Sequence, residues 1–135
     1  MMRRDKQQDA VSKDLDSTNP GVHKRLLADK FLQLVEQSDG RIRRVDDFAR
    51  QLNVTPKYLS TILKETINRR PSMMIEHFTM GAIERRLRFT DMTMQEIAND
   101  LNFPNPSFFG KYFKEHMGMT PMEYRVKYHK GELEK

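Results

Sequence analysis

One stretch of this 135-residue chain is written twice, and that repeat limits the fold more than any other feature. Phe48-Ala49-Arg50-Gln51-Leu52-Asn53-Val54 and Ile97-Ala98-Asn99-Asp100-Leu101-Asn102-Phe103 share a pattern at an offset of 49. Tyr58-Leu59-Ser60-Thr61-Ile62-Leu63-Lys64-Glu65 then matches Phe108-Phe109-Gly110-Lys111-Tyr112-Phe113-Lys114-Glu115 at an offset of 50. Each copy reads as a short helix with a small alanine near its middle, a turn, and a second helix with a capped start. The alanine lets the second helix pack close across the first, which is the layout of a helix-turn-helix. Asn53 and Asn102 stand in the turns, where positive φ is wanted and asparagine is the commonest choice after glycine. Two helical hairpins packed as plain core are the competing reading of either copy alone.

Periodicity supplies the other elements. Leu26, Leu27, Phe31, Leu34 and Val35 recur at helical spacing over 22–37, and Gly40 follows as a stop signal. Val45, Phe48, Ala49 and Leu52 mark a short helix over 45–52, with Asp46 and Asp47 in the first turn where the helix dipole favours acid. Thr55-Pro56 opens the next, through about Glu65, with Leu59, Ile62 and Leu63 inward. A longer helix is predicted over 72–89. Thr93-Met94-Gln95-Glu96 has the form of a capping box and opens a helix to Leu101. Asn105-Pro106 starts another that ends before Gly118, and Thr120-Pro121-Met122-Glu123 caps a last one through about Tyr128. Seven helices and no convincing strand make the class all-α.

Residues 1–20 offer only Ala10, Val11 and Leu15 as apolar groups beyond two starting methionines, too few to offset the entropy of ordering. A flexible arm or interdomain linker is therefore expected over 1–20, a first helix-turn-helix subdomain over 21–70, a linker helix over 71–90, a second subdomain over 91–130 and a flexible tail over 131–135.

The net charge of +5 is unevenly placed: residues 41–70 carry +5 and 105–130 carry +3, while 71–104 between them carry −2. The two excesses coincide with the two repeat copies, and clustered positive charge steers a protein toward a polyanion. With no cysteine, disulfides, thiolate zinc sites and Cys nucleophiles are excluded. Neither a membrane-spanning apolar run nor a secretory leader is present, and the chain reads as cytoplasmic.

Over about residues 22–128 the chain resembles the DNA-binding domain of the AraC/XylS family of bacterial transcription regulators. The resemblance is carried by Ile97-Ala98-x-x-Leu101-Asn102-Phe103, Ser107-Phe108-Phe109-x-Lys111-x-Phe113-Lys114 and Met117-Gly118-x-Thr120-Pro121-x-x-Tyr124-Arg125. It implies two homeodomain-like helix-turn-helix subdomains on one long helix, each placing its second helix in the major groove of duplex DNA. Asn53 and Asn102 depart from the family's frequent turn glycine, Thr79 from its linker arginine and Ile83 from a small alanine. The implied partners are promoter or operator DNA, RNA polymerase, and an N-terminal sensing or dimerisation domain that nothing in this sequence resembles. A fragment of a longer regulator and a short stand-alone member are both compatible with that. No cofactor or metal is implied, and the nucleoid is the implied place of action.

An 18-residue linker helix spans about 27 Å, which suits recognition helices in successive major grooves about 34 Å apart. On the first recognition helix the inward leucines and isoleucine leave Lys57, Tyr58, Ser60, Thr61 and Lys64 outward. On the second, Phe109, Tyr112 and Phe113 read as core, leaving Ser107, Gly110, Lys111 and Lys114 outward, with Asn105 and Pro106 at the groove end. By resemblance Lys57, Ser60, Thr61, Pro106, Ser107, Gly110 and Lys111 face bases, and Lys64 faces the DNA backbone. Tyr58, Asn105 and Lys114 are placed with the backbone contacts, as are the flanking Arg41, Arg43, Arg44, Arg69, Arg70, Arg125 and Lys127. Gly110 is expensive inside a helix; close approach to DNA and tight packing against another helix both explain it.

Glu76-His77 and Glu115-His116 are isolated pairs without a partnering second histidine or a Gly-rich loop, which speaks against an enzyme. The ten methionines favour an amphipathic module for a protein or an anionic membrane surface as the remaining rival.

Overall fold

A computed structural model describes residues 20–130 as seven helices, with no strand among the described residues. The expected arm, residue 20 apart, and the expected tail over 131–135 lie outside the described residues. In chain order the helices are α1 (Pro20–Ser38), α2 (Val45–Gln51), α3 (Pro56–Ile67), α4 (Pro71–Phe89), α5 (Met94–Asp100), α6 (Pro106–Met117) and α7 (Pro121–Tyr128).

The signals read from the sequence close as hydrogen bonds. The Glu96 N–H donates to Thr93 Oγ1 at 3.0 Å while the Thr93 N–H donates to Glu96 Oε1 at 2.9 Å, completing the capping box of α5. Thr120 and Glu123 do the same for α7 at 3.1 and 2.9 Å. Asn53 and Asn102 both adopt the left-handed turn conformation, with φ of 59° and 62°. Boundaries shift by one or two residues: α1 spans Pro20–Ser38 where 22–37 is expected, and α3 runs to Ile67 instead of Glu65, because Asn68 turns left-handed with φ 56° and closes that helix. The Asn68 N–H reaches the Lys64 carbonyl, the 5→1 bond of an αL ending, and the Arg69 N–H the Leu63 carbonyl, where no glycine announced a stop.

Two apolar clusters form the core, and α4 contributes to both. Phe31, Val35, Phe48, Leu59 and Leu63 pack with Ile75 of α4; Ile97, Leu101, Phe109, Phe113 and Tyr124 pack with Ala82, Ile83 and Leu87. Fully burying side chains of this kind stabilises by about 1.5–3 kcal/mol each, so each end of α4 is anchored in its own cluster. Thr79 and Ile83, where the sequence departs from the resembled pattern, are both buried in α4, and Thr79 is the one buried polar side chain among the described residues. Leu26, grouped with the inward residues of α1, stays 44% exposed.

Gly40 carries the loop after α1 across α4. Its φ is +85°, and a Cβ built there would lie 3.1 Å from Ala82 Cβ, so both the backbone conformation and the close crossing require glycine.

Candidate nucleic-acid interface

The second helices of the two copies are built alike. Thr55 Oγ1 accepts the Tyr58 N–H at 3.0 Å and Pro56 occupies the first position of α3; Asn105 Oδ1 accepts the Phe108 N–H at 3.0 Å and Pro106 opens α6. Leu59, Ile62 and Leu63 are buried on α3, as are Phe109 and Phe113 on α6. Turning those faces inward leaves Lys57, Tyr58, Ser60, Thr61 and Lys64 exposed on the first helix. The corresponding Ser107, Phe108, Lys111 and Lys114 are exposed on the second, with Gly110 half-buried among them. Asn105 is exposed and Pro106 half-buried at the start of α6. Tyr112, expected in the core, is half-buried between Phe103 and the His116 ring, 4.4 Å away centroid to centroid.

Three details define the chemistry of these faces. A Cβ built on Gly110 would meet nothing within 4 Å, so tight packing against another helix does not explain that glycine. The Thr61 hydroxyl donates to the Lys57 carbonyl at 3.0 Å, leaving Thr61 an acceptor and a methyl to present. Phe108, absent from the expected contacts, is 57% exposed at the first turn of α6. It occupies the position of Tyr58 in the other copy, so the repeat itself could have identified it.

The cations divide into two groups. Arg44, Lys64, Arg69, Arg70, Lys114 and Lys127 are exposed around the two helices, with only weak local partners such as Asp46 for Arg44 at 3.6 Å and Met73 Sδ for Arg70 at 3.3 Å. Arg41, Arg43 and Arg125, expected at phosphates, are instead engaged by the fold. Arg125 donates to the carbonyls of Leu87 at 3.0 Å, Arg86 at 3.1 Å, Thr90 at 3.2 Å and Met92, closing the C-terminal end of α4. Arg43 donates to the carbonyls of Gly40 at 2.9 Å, Asn102 at 3.1 Å and Leu101, with its guanidinium carbon 3.7 Å above the Phe103 ring. Burial pulls the pKa of both Arg43 and Arg125 below the ordinary value. Arg41 binds Asp100 by Nη2 to Oδ1 at 2.9 Å and by Nε to the carbonyl at 3.1 Å.

The Glu–His pairs do not assemble a reaction centre. Glu76 faces His116 across α4 and α6 at 3.7 Å, one residue from each pair, and His116 Nδ1 lies 2.8 Å from the Tyr112 carbonyl. Among the described residues no group of three or more His, Asp or Glu is placed to hold a metal ion, and no helix is long and apolar enough to cross a membrane.

Paired recognition helices, capped alike and carried on one shared helix, define a double helix-turn-helix DNA-binding domain. A family model described as a helix-turn-helix domain matches residues 48–127. The chain belongs to the AraC-type family of helix-turn-helix transcription regulators. It is 27% identical over 93 residues to the Msm operon regulatory protein of Streptococcus mutans, covering 69% of this chain and 34% of that protein. It is 29% identical over 79 residues to the raffinose operon transcriptional regulatory protein of Pediococcus pentosaceus, covering 58% and 28%. The chain thus spans about a third or less of the length of these curated relatives. The C-terminal domain of the response regulator AraT from Geobacillus stearothermophilus superposes with a TM-score of 0.66 at 24% identity, over 76% of this chain and 86% of that one. The DNA-binding domain of the transcription factor AdpA, solved with a target DNA, superposes with a TM-score of 0.63 at 17% identity, over 75% and 90%.

Proposed function

We propose that this chain reads duplex DNA with α3 and α6 in successive major grooves, as the DNA-binding part of a bacterial transcription regulator that acts at the nucleoid. The observation carrying this is the register of the two outward faces: Lys57 with Ser107, Ser60 with Gly110, Thr61 with Lys111 and Lys64 with Lys114, each over a buried apolar face. Lys57 and Lys111 donate to guanine O6 and N7, Ser60 and Ser107 exchange hydrogen bonds with several bases, and the Thr61 methyl packs on thymine. Gly110 lets the α6 backbone approach the groove floor beside Pro106. Arg44, Arg69, Arg70, Lys64, Lys114 and Lys127 contact phosphates, helped by Tyr58, Phe108 and Asn105 at the groove edges. These contacts fix position and supply the salt-dependent share of affinity. RNA polymerase and a sensing or dimerisation domain are the further partners this reading carries.

Selection of bound sequences from a random duplex pool tests it. The expected result is a logo of two half-sites whose centres lie one helical turn, about 10–10.5 bp, apart. A logo with one short block, or binding to anionic vesicles that exceeds binding to duplex, would overturn it.

A further inference from the structure

No helix of the first unit packs extensively on a helix of the second; both pack on α4. One shared helix fixes the separation of two bodies along its axis but is a poor restraint on their rotation about it. A second attachment, off that axis, is present. The loop after α1 belongs to the first unit and supplies Asp39, Arg41 and Arg43; the C-terminal turn of α5 belongs to the second and supplies Asp100 to Phe103. Arg86 of α4 joins them, donating by Nη2 to Asp39 Oδ2 at 2.8 Å and by Nε to Asp100 Oδ2 at 2.8 Å, with its side chain only 12% exposed. Arg85 adds a bond to Asp39 Oδ1 at 2.6 Å. Arg41 then bridges directly to Asp100, and the Asn102 amide donates back to the Arg41 carbonyl at 3.3 Å. Arg43 lies on Phe103. Each guanidinium fixes direction as well as distance, because its donors form a rigid planar fork.

We propose that this clasp is a ruler: Asp39, Arg41, Arg43, Arg86, Asp100 and Asn102 set the half-site spacing that the protein accepts, without touching DNA. The proposal rests on the two-groove reading above. Inserting one base pair between half-sites moves the second by about 3.4 Å and rotates it by about 34°, given a turn of about 10.5 bp and 34–36 Å. A clasped pair of units cannot follow that rotation, whereas a pair joined by α4 alone can.

The test variant is Asp39→Asn/Asp100→Asn, which removes both negative charges at constant shape. Because the chain has no cysteine, Lys64→Cys and Lys114→Cys place a unique pair of spin labels at equivalent positions of the two recognition helices. Without DNA, the label-to-label distance distribution is expected to be narrow in the parent and about twice as broad in the variant, while both melt as folded proteins. If the double variant does not fold, Asp100→Asn alone serves. On duplexes with one base pair added or removed between selected half-sites, in the proteins without label sites, the parent is expected to lose about tenfold in affinity, the scale of one mismatched pair. The variant is expected to lose less than threefold at unchanged half-site preference. An unchanged distribution together with an unchanged spacing penalty would overturn the ruler. A parent that binds no bipartite site fails the two-groove reading and the ruler falls with it, while the distance measurement still reports whether the clasp restrains the units.

Discussion

The two copies of the helix-turn-helix share core positions, turn geometry and the caps of their second helices, yet they are embedded differently. In the first copy α2 starts at Arg44 with no side-chain cap. In the second, α5 starts at a complete capping box and its turn is gripped from outside, Asn102 through both its carbonyl and its amide. The outward faces differ too, with neighbouring hydroxyls at Ser60 and Thr61 against Gly110 and Lys111. A duplicated pattern therefore fixes how each unit folds. The unmatched residues decide what each unit reads and how it is tied to its neighbour.

The largest expected effect breaks the second unit and spares the first. Arg125→Ala removes the shared donor of the Arg86, Leu87, Thr90 and Met92 carbonyls. The Arg86 carbonyl keeps the Thr90 N–H and hydroxyl and the Thr90 carbonyl keeps His129 Nε2 at 3.1 Å. The Leu87 and Met92 carbonyls are therefore the ones orphaned, at about 1–3 kcal/mol each where water cannot replace the partner. Because this end of α4 is only partly buried, a loss of about 2–3 kcal/mol in urea denaturation is expected. Arg69→Ala, beside the first recognition helix and exposed, should stay within about 0.5 kcal/mol, as surface substitutions do. Equal losses at the two positions would refute the division of cations into those the fold engages and those it leaves exposed.

Next comes the chemistry of the readers. Lys111→Ala is expected to relax base preference at one position in the half-site of α6, by about 1–2 kcal/mol of discrimination, while leaving the α3 half-site untouched. Binding-site selection gives both halves in one experiment, and an unchanged logo would count against Lys111 as a reader. Gly110→Ala is a smaller perturbation with opposed consequences. Open space awaits the new methyl, and alanine is about 1 kcal/mol better than glycine inside a helix, so the free protein should melt higher. Under the proposed reading affinity for the selected duplex should fall, since the methyl would stand where the backbone approaches DNA. A stabilised variant with unchanged affinity would leave Gly110 without a role in the interface.

Most of the fold was legible because its signals are local. Thr93, Thr120 and Asn105 announce their caps within three residues and form the bonds their spacing predicts, and the two turn asparagines adopt the positive φ expected of them. The outward faces of α3 and α6 were legible for a related reason: once Leu59, Ile62 and Leu63 are inward, helical geometry leaves their neighbours outward. What the sequence concealed are interactions between residues far apart in the chain. Arg41, Arg43 and Arg125 look like any other flanking cation until Asp100, the Asn102 carbonyl and the end of α4 are brought beside them, 38 to 59 positions away. Arg86 and Asp39 carried no local pattern, so the clasp had no sequence signature. Phe108 is absent from the expected contacts although the offset of 50 pairs it with Tyr58.

The smallest expected effect concerns pH, and it draws one acid from each unit. At Asp39 burial raises the pKa, but hydrogen bonds and charge from Arg86 and Arg85 outweigh it and hold the carboxyl below its ordinary 3.8. At Asp100 the hydrogen bonds from Arg41 and Arg86 lower it, against a smaller opposing pull from burial. With the folded values below the unfolded ones, both acids contribute stability that is fully present well above pH 3.8 and is lost as pH falls through the depressed folded values. Both are about a third exposed, and exposed ion pairs are worth about 0–1 kcal/mol, so the contribution is modest. Melting temperatures of the parent and of Asp39→Asn/Asp100→Asn should differ by a constant amount between about pH 5 and 7 and converge below about pH 4, where the unfolded carboxylates take up protons. Asp39 and Asp100 are the acids that Arg41, Arg85 and Arg86 face, so a parent that melts below the variant at neutral pH and rises to meet it in acid would show that the clasp carboxylates are strained together and not held by their arginines.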